Sequence, residues 1–69
     1  MTHGPITFIL PDVGWACLLD GILRDAPMGA VIEVHTQPMQ ALVEQRLLEA
    51  GRTDMELRLA ERGAHSSRR

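Results

Sequence analysis

Lysine, asparagine and tyrosine are missing from this sequence, cysteine occurs once, and Phe8 and Trp15 are its aromatic residues. Each gap removes a class of structure or chemistry. With Cys17 alone there is no internal disulfide and no paired-cysteine metal site. With two aromatic rings, aliphatic side chains have to fill the core. Without lysine, all seven basic residues are arginine, a bias that a GC-rich genome explains without any special chemistry. No apolar run approaches the roughly 18 residues that a membrane span needs, and Met1–Pro11 has neither the basic start nor the long apolar stretch of a signal peptide. A cytoplasmic protein with no membrane partner is therefore expected.

What is present is short and mixed. Sixty-nine residues, 45% hydrophobic and 23% charged, make one globular domain that buries a modest share of its surface, so a partner or a second copy would help cover its faces. Charge is unevenly spread: residues 1–60 hold eight acids against Arg24, Arg46, Arg52 and Arg58, whereas residues 61–69 hold Glu61 against Arg62, Arg68 and Arg69. An acidic body does not suit a phosphate backbone, whose binding gathers Lys and Arg on one face. Direct nucleic-acid binding is not expected, and a basic protein surface is the better match.

The hydrophobic period divides the chain into five elements. Ile6–Leu10 alternates as a first strand, with Ile6, Phe8 and Leu10 inward, and Pro11 and Asp12 end it. Asp12 is positioned to cap a helix running to about Ala26, with Trp15, Leu18, Leu19, Ile22, Leu23 and Ala26 as its apolar stripe. From Ala30 to Gly51 the period switches from two to 3.6. Ala30, Ile32 and Val34 face inward on a second strand. Met39, Leu42, Val43, Leu47 and Ala50 then share one side of a helix that Thr36 caps, Pro38 opens and Gly51 closes. Met55–Leu59 alternates as a third strand. The order β-α-β-α-β predicts a small two-layer α/β sandwich: a mostly parallel three-stranded sheet with both helices on one face. It occupies residues 1–62, followed by a flexible arginine-containing tail over 63–69. The far sheet face would carry Thr7, Ile9, Val31, Glu33, His35, Glu56 and Arg58, half apolar and half charged.

Among side chains with chemistry to offer, Cys17 is the strong nucleophile. If the first helix starts at Asp12, Cys17 shares an exposed side with Asp20, Gly21 and Arg24. If the helix starts after Gly14, Cys17 lies in its first turn, where free N–H groups and the helix dipole favour a thiolate. The plainer reading is a small apolar residue without a role. His3, His35 and His65 are far apart in sequence. Only His35 has acids within reach, Glu33 on its own strand and Glu56 if the strands are neighbours, and a surface histidine between carboxylates is the commoner meaning of that set. No cofactor or metal is expected. Ser66 and Ser67 lie in the tail, and the glycines do not form a phosphate loop.

A family resemblance rests on Asp12-Val13-Gly14-Trp15-Ala16-Cys17, on Gly29-Ala30-Val31-Ile32-Glu33-Val34, and on Thr36, Pro38 and Glu49-Ala50-Gly51. These runs resemble the TusA-like small sulfur carriers. The resemblance implies a small α/β fold and a persulfide carried on Cys17, although Leu18 stands where that family has proline.

The remaining pattern is acidic and outward. Asp20 and Asp25 on the first helix, with Glu44 and Glu49 on the second, put carboxylates on the helical layer. Leu48 points away from the second helix's inner stripe. With Glu33 and His35 on the sheet, these form the candidate partner-binding set. The function expected from them is a non-enzymatic protein-binding module: a small phage- or mobile-element-type inhibitor, similar in size and charge to anti-CRISPR proteins, docking on a larger basic protein or nucleoprotein assembly. A homodimer is the other association considered, and the sulfur carrier is the alternative function.

Overall fold

A computed structural model describes residues 4–60 of the chain. Five elements follow one another: β1 (Thr7–Ile9), α1 (Trp15–Asp25), β2 (Val31–Val34), α2 (Gln37–Ala50) and β3 (Glu56–Leu59). The three strands form one sheet in the order β1-β2-β3. Both pairings are parallel, with Phe8 beside Ile32 and Ile32 beside Leu57. Two successive crossovers of one hand that step the same way along a sheet leave both helices on the same face. Leu19 of α1 and Met39, Val43 and Leu47 of α2 accordingly share a single core with Ile32 and Val34. The expected small α/β sandwich is the observed fold.

Local chemistry sets the element boundaries. Thr36 caps α2 by accepting a hydrogen bond from the Met39 amide at 3.2 Å, and Pro38 occupies the first turn, where its missing N–H has no partner to lose. Gly51 ends the helix in the left-handed region at φ 72°, a conformation that glycine adopts without a Cβ penalty.

The first helix departs from expectation at its start. It begins at Trp15 instead of Asp12, because Gly14 takes φ 83° and a left-handed residue cannot continue a right-handed helix. Asp12 and Val13 remain in the bend, and Gly14 stands at the N-cap without a side-chain hydrogen bond. The first strand is also shorter than expected, Thr7–Ile9, and Ile6 is exposed.

Both helical stripes are narrower than their sequence patterns. On α2 the buried positions are Met39, Val43 and Leu47, each four residues from the next, while Leu42 and Ala50 are exposed. On α1 only Leu19 is fully buried, and Leu18 is 52% exposed. A three-stranded sheet with a three-residue edge strand offers a narrow floor, so positions at the sides of each stripe find nothing to cover them. The outer sheet face carries the rows Thr7-Val31-Glu56 and Ile9-Glu33-Arg58. Val31 is buried there despite facing away from the helices. The tail over 63–69, the serines within it, His3 and His65 lie outside the described residues.

Candidate functional site

Cys17 is the third residue of α1 and is exposed. The left-handed Gly14 places it in the first turn, where backbone N–H groups lack intrahelical acceptors. Cys17 lines a groove between α1 and β1 together with Phe8, Leu18, Gly21, Ile22, Asp25, Ala26 and Pro27. The groove is mostly carbon. Phe8 is half-buried and Leu18 exposed, so the apolar wall continues to the surface.

The four helical acids, Asp20, Asp25, Glu44 and Glu49, are all exposed. They do not gather at one place. Asp25 borders the α1–β1 groove, and Asp20 lies in a depression with Leu23, Arg24 and Ala50. Glu44 borders a third depression, between α2 and β3, that includes Leu48 and Leu57. Leu48 itself is 61% exposed.

On the sheet, Glu33 and His35 already have partners within the molecule. Arg58 approaches Glu33 at 3.9 Å and Glu56 at 3.7 Å, and His35 Nδ1 lies 3.2 Å from the Ala60 carbonyl oxygen. Strands β2 and β3 are neighbours, with Glu33 and Glu56 on the outer face, and His35 follows the end of β2. Among the described residues, however, no three His, Cys, Asp or Glu side chains converge as a metal site would require. No helix among them is long and apolar enough to cross a membrane.

The densest polar arrangement among the described residues lies in the turn between α2 and β3, where no motif marks it in the sequence. Arg52 donates from Nε and Nη2 to the Asp54 carboxylate at 3.0 and 3.1 Å. It also donates from Nη1 to the Leu23 carbonyl at 2.8 Å and from Nη2 to the Ala26 carbonyl at 3.1 Å. Asp54 in turn accepts from the Gly29 amide at 3.2 Å. One guanidinium thus satisfies carbonyls left open at the C-terminus of α1, a favourable place for a cation. It also fixes the turn before β3 against the turn before β2. The hydrogen bonds from Arg52 hold the Asp54 carboxyl down at about 2, with the Gly29 amide helping. An Arg-x-Asp spacing after a helix-closing glycine is the only trace of this in the sequence; the other partners are backbone atoms, which no side-chain pattern reveals. A contact between the helices sets Arg46 of α2 over the Trp15 ring, 5.5 Å from its centroid, within cation–π range.

Comparison with protein-family models, with curated proteins and with solved structures finds no match.

Proposed function

We propose that the chain is a non-enzymatic protein-binding module of the inhibitor type, docking on a larger basic protein or nucleoprotein assembly. The observation that carries this reading is the α1–β1 groove, whose apolar lining from Phe8, Leu18 and Ile22 includes one exposed carboxylate, Asp25. An apolar centre with a charged edge is how protein interfaces are built. The expected partner offers an apolar side chain for the groove and arginine or lysine for Asp25, with Asp20, Glu44 and Glu49 adding longer-range attraction.

Capture of partners from host lysate by the tagged chain tests this. Leu18→Arg and Asp25→Arg should each lose the partner that the parent chain retains, whereas Leu42→Arg, at an equally exposed leucine elsewhere, should keep it. Charge reversal at Asp20, Asp25, Glu44 and Glu49 together should also flatten the salt dependence of capture. Equal capture by all variants would sink the docking reading.

A second reading, a sulfur carrier, draws on the position of Cys17. An exposed cysteine in a helix's first turn is open to a sulfur donor and to an acceptor protein. Under this reading, intact protein from its own host carries the extra mass of one sulfur atom on Cys17, and Cys17→Ala abolishes function. A fully active alanine variant with no such adduct in the parent removes it.

A further inference from the structure

The two edges of the sheet are not equivalent. At β1, a three-residue strand is flanked by Pro5 and Pro11, which supply no N–H for pairing and blunt that edge. At β3 no proline intervenes. The Glu56 and Ala60 amides donate inward to the Ala30 and Val34 carbonyls at 3.0 and 2.8 Å. In a parallel ladder this alternation turns the N–H and C=O of Leu57 and Leu59 away from β2, toward the edge that no other described strand pairs with.

The charges on that edge complement one another. Glu56 and Arg58 flank Leu57 on the outer face, with side chains 60% and 50% exposed. If a second copy pairs antiparallel with Leu57 opposite its own counterpart, each Glu56 faces an Arg58 on the other chain. Sliding the two-fold axis by one residue sets Arg58 against Arg58, or Glu56 against Glu56, and like charges directly opposite are destabilising. One register is thus favoured over both its neighbours. In it the Leu57 pair exchanges two backbone hydrogen bonds and meets on the inner face, beside the depression where Leu48 of α2 stands exposed.

We infer that two copies of this chain join through β3 into a continuous six-stranded sheet, in the antiparallel register that pairs Glu56 with Arg58 across the two-fold axis. The interface is isologous and closed, since the blunted β1 edges at its ends do not extend it.

Sedimentation equilibrium of the full chain across a concentration series tests this directly. The parent protein should dimerise. Glu56→Arg and Arg58→Glu should each weaken self-association roughly tenfold or more, because each sets like charges opposite one another twice. Mixed in equal amounts, the two variants should associate with each other more tightly than either does with itself, since both facing pairs are again opposite in sign. That recovery also shows that the variants are folded. As an independent readout, the Leu57 and Leu59 amides of the parent chain should gain exchange protection as concentration rises, while those of Thr7 and Ile9 should not. A parent chain that stays monomeric overturns the inference. So does a dimer indifferent to both substitutions, a mixture no tighter than its components, or a dimer that leaves the Leu57 and Leu59 amides unprotected.

Discussion

Arg52 concentrates more structural consequence than any other single side chain in the described residues. Its five N–H donors are arranged in a planar fork that lysine does not possess, and here the fork is divided between one carboxylate and two half-buried carbonyls of a helix end. Arg52→Lys should therefore destabilise the fold nearly as much as Arg52→Ala, a result that chemical denaturation of the two variants checks. The acid response has a definite sign. Because the Asp54 carboxyl falls from its ordinary 3.8 to about 2 in the folded chain, the unfolded chain binds its proton first on acidification. The stability this group contributes is complete above about pH 3.8 and disappears as the pH falls through about 2. Asp54→Asn should be less stable than the parent at neutral pH and should show a shallower loss between those limits, measured by urea unfolding at a series of pH values. Neither property was legible beforehand. An arginine and an aspartate two residues apart look like any surface turn, and their remote partners are main-chain atoms. Cys17 is different: both of its possible placements were visible, and the conformation of Gly14 decided between them.

At the scale of elements, the second half of the chain was far more readable than the first. In α2 the capping threonine, the first-turn proline and the closing glycine act within a few residues of one another, so local chemistry is sufficient to bound the helix. Thr36→Ala should cost about 0.5–2 kcal/mol, since the Met39 amide loses its acceptor, with the loss visible in thermal unfolding followed by circular dichroism. In α1 two start signals competed. Asp12 has the right side chain for a cap, but Gly14 breaks the helical path between Asp12 and the first helical residue, and backbone geometry prevails over side-chain preference. The misjudged side positions have a different origin. Leu18 and Leu42 fit their helical stripes by period, yet a stripe is buried only as far as a neighbouring layer extends. Sheet width belongs to the tertiary structure, so the local period gave no warning.

For the whole molecule, the margin is what matters. A core this small rarely supplies more than about 3–5 kcal/mol, and truncating a buried leucine to alanine costs about 2–5 kcal/mol. Leu19 is fully buried at the junction of α1 with the common core. Leu19→Ala should leave a large fraction of the chain unfolded at room temperature, whereas Leu42→Ala, at a half-exposed position, should remain folded; near-ultraviolet circular dichroism of the single tryptophan separates the two. The same small size leaves apolar side chains such as Leu18, Leu42 and Leu48 exposed among the described residues. There is too little structure to enclose them, and what one copy cannot enclose is available to another surface.

The Arg52–Asp54 fastening also gives the molecule two unlike ends. It ties together the exit from α1 and the approaches to β2 and β3, all at the end where the strands begin. At the other end the chain leaves β1 and β2 for α1 and α2 through short bends, and Val13 in the first of these is 88% exposed. Sequence change is therefore constrained asymmetrically: Arg52 and Asp54 are fixed in identity and spacing, while the bend at Asp12 and Val13, ahead of Gly14, is where the chain can lengthen, vary or accept a grafted loop without disturbing the bonds that hold the rest in register.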